Sequence, residues 1–320
     1  MLDNKTIPVS VNYHFSRKCN ADCVFCFHTA KTSDVASLED AQSALQLLKN
    51  EGMKKLNFAG GEPFLYHKRL GQLCQYAKAE LKLESVSIVS NGTRVTEKWL
   101  REWGQYIDIL AISCDSFNPE TNKKIGRAER GSGKPFDNVN QLFQIRDWCK
   151  ELGIKFKLNT VVCSLNLEED MVETVKQLDP FRWKVFQVLI VDGENDDEKK
   201  LRDARKVRIT DEEFKGFCDK HKSVRGFTPE GNDVMKASYL ILDEHLCFLS
   251  PGQGARTVSK PILEVGAQEA LSQIDWDEEG FRKRGGEYDW SRAAAGESPD
   301  VHLGCGSGGL EGIDQKDLEF

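Results

Sequence analysis

No stretch of the 320 residues stays apolar for the roughly 18 positions that a bilayer-spanning helix needs. The first ten residues also lack the basic start and apolar centre of a secretory signal. The chain is therefore expected to be soluble and cytoplasmic, with no membrane partner. An excess of positive charge is missing too, since 51 acidic against 44 basic side chains leave −7 and a pI of about 5.6. That balance argues against a DNA or RNA polymer as partner, but leaves room for a local basic pocket. Only 9 prolines occur, and a length of 320 residues suffices for a substantial core. A disulfide framework is absent as well. Ten cysteines stand at positions 19, 23, 26, 74, 114, 149, 163, 218, 247 and 305, and beyond the first three they follow no regular spacing. Reduced intracellular thiols fit that pattern better than secreted disulfides.

The first three cysteines stand apart. Cys19, Cys23 and Cys26 are spaced C-x3-C-x2-C directly after an extended aromatic-rich run, Asn12 to Phe15. Three thiolates on one short loop can ligate three irons of a [4Fe–4S] cube and leave the fourth iron open to a substrate or cofactor. A structural zinc knot with His28 as fourth ligand is the alternative use of the same thiols. Phe25 and Phe27 flank Cys26, and a Gly-Gly-Glu-Pro segment at 60–63 closes a second strand-like run. The pairing of the two motifs, each following a strand, favours the cube.

Strand-like and helix-like patterns alternate up to about residue 192. Val9–Phe15, Lys54–Ala59, Ser85–Ser90, Asp108–Cys114, Ile154–Val162 and Trp183–Val191 read as strands, rich in β-branched and aromatic residues. Residues 37–51, 67–82, 96–103, 136–152 and 167–178 read as helices, with apolar positions three and four apart. Six strands with intervening helices imply an α/β fold with a parallel sheet, curled into a partial (β/α)6 barrel over residues 1–192.

Alternation within the strands is informative. In Ile154–Asn159, Phe156 and Leu158 point one way while Lys155, Lys157 and Asn159 point the other. By the same count Asn12 and His14 share a face, as do Lys55 and Asn57, and Arg182 and Lys184. Barrels of this kind ordinarily fill their centre with branched apolar side chains. A lysine at a strand end can snorkel to water. Lys55, Lys157 and Lys184 on three separate strands are better explained by one interior pocket, which would attract an anion of several charges such as a triphosphate.

After Val191 the composition shifts. A charged loop at 192–202 leads to an expected helix Asp211–His221 capped by Thr210 or Asp211. Residues 237–249 read as one or two strands, 251–260 as a flexible basic loop, 261–265 as a strand and 266–274 as a short helix. Residues 193–292 are thus expected to form a C-terminal extension closing the site, and 293–320 a flexible tail. Gly304–Gly309 matches G-x-G-x-x-G, but without a flanking strand or helix it reads as linker. Gly131–Lys134 hints at a phosphate loop and is out of register.

Beyond the two motifs, the chain resembles the viperin-like radical S-adenosylmethionine enzymes. The stretches that carry the likeness include 12–15, 26–32, 57–64, 85–92, 108–117, 156–159, 182–187, 193–195, 238–244 and 283–286, spread over about residues 8 to 292. The resemblance implies a radical S-adenosylmethionine barrel that converts a nucleoside triphosphate, CTP or UTP, into its 3′-deoxy-3′,4′-didehydro analogue for antiviral defence. The 4′ hydrogen is abstracted and the 3′ hydroxyl lost as water. It implies a [4Fe–4S] cluster on Cys19, Cys23 and Cys26, with S-adenosylmethionine held by Gly60, Gly61 and Glu62. Ser90, Asn91 and Arg127 are candidates for its ribose and carboxylate, although a turn at Asn91-Gly92 explains the first two equally well. Lys55, Lys157, Lys184, Arg182 and Arg256 are implied as triphosphate ligands, Asn12 as a base or ribose contact, and Tyr239 as a hydrogen donor to the nucleotide. An electron donor and the iron–sulfur assembly machinery are implied as partners.

The chain departs from the family at three places. Its basic loop carries only Arg256 and Lys260. Trp290 is followed by an unrelated tail, and the amphipathic helix that precedes the core in animal members has no counterpart here. A radical S-adenosylmethionine enzyme acting on a peptide or other small metabolite is the second reading, and a zinc-stapled binding module the third.

Overall fold

The computed structural model describes residues 6–292 apart from positions 33, 135, 137, 236, 237 and 250–256. Arg256, the first part of the basic loop (251–255) and the expected tail therefore lie outside the described residues, whereas 257–260 of that loop are described, with Val258 bridging to Leu249.

A nine-stranded sheet organises the molecule, in the order β7-β6-β5-β4-β3-β2-β1-β8-β9. The strands are β1 (Ser10–His14), β2 (Lys55–Ala59), β3 (Ser85–Ser90), β4 (Ile109–Ser113), β5 (Lys155–Val162), β6 (Arg182–Gln187), β7 (Phe227–Glu230), β8 (Ile241–Leu242) and β9 (Phe248–Leu249). All neighbours pair in parallel except β8 and β9. Helices α1 (Leu38–Asn50), α2 (His67–Gln75), α3 (Glu97–Trp103), α4 (Pro119–Ile125), α5 (Asn138–Glu151), α6 (Val172–Leu178) and α7 (Asp211–His221) make the crossovers. Beyond them come α8 (Asn232–Met235), α9 (Ile262–Val265), α10 (Ala267–Ser272) and α11 (Glu278–Lys283).

Several of the helix starts are set by side-chain caps. Ser37 accepts from Asp40 N, Thr96 from Trp99 N, and Thr210 forms a capping box with Glu213. One face of the sheet is apolar and packs on the helices through Val11, Tyr13, Leu56, Phe58, Leu158 and Trp183, each nearly or wholly buried. The opposite face is polar. Ser87 donates to Asn57, Asn57 to Asn12, and Asn12 to the Leu240 carbonyl, at 2.8, 2.8 and 3.2 Å. This belt runs across β3, β2 and β1 to the approach to β8.

Three sequence expectations need correction. The parallel sheet has a seventh strand, β7, which is disguised by Pro229; proline is tolerated there because β7 is an edge strand. Residues 262–265 form a helical turn instead of a strand. The sixth strand ends at Gln187, short of Val191.

The hydroxyl of Tyr239, which precedes β8 at the β8–β9 side of the sheet, donates to Glu230 of β7, the strand at the opposite edge. A contact between the two edges requires the sheet to curl around its polar face, and that face therefore lines an interior lumen.

Candidate active site

The loop after β1 holds the three thiols at the C-terminal end of the sheet. Backbone bonds fix it against the end of α4, from Asp22 N to Gly126 O at 3.1 Å and from Val24 N to Ile125 O at 2.9 Å. Gly126 has a φ of +91°, and a Cβ there would stand 2.3 Å from the Asp22 carbonyl, so only glycine fits. From the other side the Asn195 amide donates to Phe25 O at 2.9 Å. Buried Arg17 donates to Glu244 at 2.6 Å and to Glu194 at 3.3 Å. It thereby ties the start of the loop to the C-terminal extension.

Burial first, and then repulsion between neighbouring thiolates, pushes the Cys19 thiol up to about 12. Burial raises Cys23 to about 11 and also raises Cys26. Such a trio deprotonates readily only when positive charge joins it, as iron does. Among the described residues no three His, Cys, Asp or Glu side chains converge as the ligands of one ion must. A cube presents a separate iron to each thiolate, so the donor set fits it. His28 is turned toward the His14 ring, at 4.5 Å between centroids, and toward Glu244 at 4.0 Å, away from the role of fourth zinc ligand.

Gly60 and Gly61 lie against the chain entering the loop. A Cβ on Gly61 would be 2.0 Å from Lys18 O, and one on Gly60 2.4 Å from Ser16 O. Gly61 N and Glu62 N donate to Ser16 O and Lys18 O at 2.7 and 2.8 Å. The Glu62 carboxylate, 1% exposed, accepts from Phe64 N, Ser90 Oγ and Asn91 N at 3.0, 2.8 and 2.7 Å. Asn91 in turn donates to Asn20 at 2.8 Å. Glu62, Ser90 and Asn91 thus join the ends of β2 and β3 to the cysteine loop. Arg127 is buried beside Cys23, and Asp115 orients its guanidinium at 2.6 Å.

Lys55, Lys157 and Lys184 come from β2, β5 and β6 and meet in the lumen. Lys157 lies opposite Arg182 in the register, and Lys184 opposite Asn159. Burial, followed by repulsion from Arg182, lowers Lys55 to about 7. Burial is also the main cause for Lys157 and Lys184, each lowered to about 7; Lys184 and Lys55 act on Lys157, and Arg284 and Arg182 act on Lys184.

Their partners differ. Lys184 Nζ is 2.5 Å from both Glu230 and the Tyr239 hydroxyl. Lys55 donates to Tyr288 at 3.1 Å and lies over the Trp290 ring at 5.0 Å. Lys157 makes no hydrogen bond or ion pair among the described residues. Arg182 stacks on Tyr288 at 4.3 Å.

Three residues here escaped the sequence reading. Glu230 sits on the unrecognised strand β7. Arg284 pairs with Glu230 at 3.2 Å and covers the Tyr239 ring at 4.1 Å. Tyr288 stands between Lys55 and Arg182. Arg284 belongs to the quoted stretch 283–286, which was the available signal. Asn12 is bonded within the polar belt on both sides of its amide.

The radical SAM superfamily model matches residues 13–178, slightly more than half of the chain. The S-adenosylmethionine-dependent nucleotide dehydratase RSAD2 of Oncorhynchus mykiss is 51% identical over 288 residues, covering 89% of this chain and 82% of that protein. This chain belongs to the radical S-adenosylmethionine nucleotide dehydratases. Similarity extends to a nucleotide dehydratase of Lacinutrix mariniflava, 39% identical over 289 residues, which cover 88% of this chain and 59% of that protein. Among solved structures, Streptococcus suis SuiB bound to S-adenosylmethionine aligns with a TM-score of 0.55 at 18% identity, over 78% of this chain and 63% of SuiB. That likeness speaks for the fold. Membership of the superfamily brings its cofactors, a [4Fe–4S] cluster and S-adenosylmethionine. The three thiols after β1 suit the first, and the Gly-Gly-Glu segment lies against the chain that enters their loop.

Proposed function

We propose that the chain dehydrates a pyrimidine nucleoside triphosphate, CTP or UTP, to its 3′-deoxy-3′,4′-didehydro form, an antiviral nucleotide. The observation that carries this reading is the meeting of Lys55, Lys157 and Lys184 in a buried lumen beside Tyr239. When bound, the cluster and S-adenosylmethionine supply one-electron, hydrogen-abstracting chemistry.

The chain's own residues hold and orient the substrate. Three ammonium groups and Arg182 repel one another, and a triphosphate among them offsets that repulsion and draws protons onto the amines. Anchoring the phosphates at the lumen lysines directs the ribose toward the cysteine loop at the C-terminal ends of the strands. Arg284 and Glu230 hold the Tyr239 ring and hydroxyl in place, so that a hydrogen stands ready for the nucleotide. The curled sheet and the Tyr288–Trp290 segment exclude water. Cytoplasmic location and supply of the cluster by the iron–sulfur assembly machinery belong to the same reading. No helix among the described residues is long and apolar enough to cross a membrane.

A competition experiment tests it. The reconstituted protein, given S-adenosylmethionine, a reductant and an equal mixture of CTP, UTP, GTP and ATP, is expected to convert a pyrimidine nucleotide into a product lighter by one water. Formation of 5′-deoxyadenosine that no nucleotide stimulates would point instead to another small metabolite or a peptide.

A further inference from the structure

The reaction proposed above consumes two electrons per turnover, one in cleaving S-adenosylmethionine and one, with a proton, as the 3′ hydroxyl leaves as water. Both are drawn from outside the chain, and the first has to be delivered to the cysteine loop, where the thiols would hold the cluster. We propose that the surface formed by residues 120–134 and 196–208 is the docking face for an acidic one-electron carrier protein. The inference rests on the dehydratase reading only for the number of electrons.

Both segments are fixed to the loop. Asp22, between Cys19 and Cys23, pairs with Arg130 at 3.3 Å and also with Arg202. Arg130 N donates to Asn20 O at 2.9 Å, and Asn195, just before the second segment, holds the Phe25 carbonyl. The two segments therefore converge on the stretch that carries the thiols.

Their charge runs against that of the molecule. Leaving out buried Arg127, they hold ten basic and six acidic side chains in a chain whose net charge is −7. Lys123, Lys124, Lys134, Lys199, Lys200 and Lys206 are exposed. Leu201, 48% exposed, adds an apolar contact among them. A basic run is often only a solvated face. Here it borders the loop to which the first electron must be delivered, and complementary charge steers a negatively charged carrier to such a face with a strong dependence on salt.

The test uses the full-length, cluster-loaded protein and an acidic [2Fe–2S] ferredoxin as probe. Anaerobic titration measures its affinity, and stopped-flow bleaching measures the rate at which it reduces the cluster, both at rising KCl. Substituting Lys199→Glu, Lys200→Glu and Lys206→Glu together is expected to weaken ferredoxin binding about 10-fold or more and to flatten its salt dependence. Reduction by dithionite, nucleotide binding and iron content should stay unchanged. The control pair Lys54→Glu and Lys150→Glu, exposed at the opposite end of the sheet, should have no effect. Equal weakening by the control pair, or unaltered binding in the triple variant, would overturn the proposal. So would an RNA oligonucleotide occupying the face while the ferredoxin ignores it. If wild-type protein under dithionite yields no dehydrated nucleotide, the dehydratase reading fails, while the docking result still decides this one.

Discussion

Lys157 and Lys184 sit on neighbouring strands with the same charge, yet they are held differently. Lys184 is paired with Glu230, whereas Lys157 makes no ion pair among the described residues and is repelled by Lys184, Lys55 and Arg182. Removing Lys157 therefore relieves repulsion, and Lys157→Met should leave stability unchanged or slightly higher while raising the KM for nucleotide about 10-fold or more. Lys184→Met leaves a buried carboxylate with one cation fewer and should cost roughly 2 kcal/mol of stability besides weakening binding. Urea unfolding alongside steady-state kinetics separates the two outcomes. Tyr239→Phe removes a hydroxyl but not the ring on which Arg284 stacks. Nucleotide should still bind and still stimulate 5′-deoxyadenosine formation, with little dehydrated nucleotide formed; equal loss of both products would deny Tyr239 a role in the chemistry.

At the scale of the element, the glycines beside the cysteine loop are the sensitive points. A methyl group at Gly61 would overlap the Lys18 carbonyl, and one at Gly126 would overlap Asp22 in a backbone conformation that side chains resist. Gly61→Ala and Gly126→Ala should each cost about 1–3 kcal/mol and lower iron bound per chain, whereas Gly131→Ala, with open space around it, should keep its iron. Strand alternation made the first six strands and the inward lysines legible in the sequence, because polar residues at every second position mark one face. β7 was hidden by its shortness and by Pro229, and the 262–265 turn by apolar residues that suit either conformation. Glu230 could not be placed in the site before its strand was known. Arg284 and Tyr288 come to the lysines from 100 or more residues away in sequence, a proximity that only the curl of the sheet creates. The cysteine loop was legible because its chemistry lies within eight residues.

For the molecule as a whole, three lumen lysines lowered to about 7 shape stability across pH. The unfolded chain, with lysines near 10.5, binds more protons than the folded one between about pH 7 and 10.5. Stability of the nucleotide-free protein should therefore rise with pH over that window. Bound triphosphate raises the folded values, and so should flatten the rise and, at about 100 times its Kd, add about 2.7 kcal/mol. Thermal unfolding with and without CTP, from pH 7 to pH 9.5, checks both effects. The same curl that gathers the lysines sets the cysteine loop at the other end of the lumen, with a basic surface around it in an otherwise acidic molecule. On the proposals made above, substrate and electrons have separate approaches.

Proton uptake on nucleotide binding tests most directly whether the lumen lysines clasp the triphosphate. Calorimetric titration of CTP at pH 8 in buffers of different ionisation enthalpy reports it, since an amine of pKa about 7 is about nine-tenths neutral there. The expected result is uptake of about one to three protons per nucleotide, reduced in Lys157→Met. Tight binding with no uptake, or with the same uptake in the variant, would contradict it.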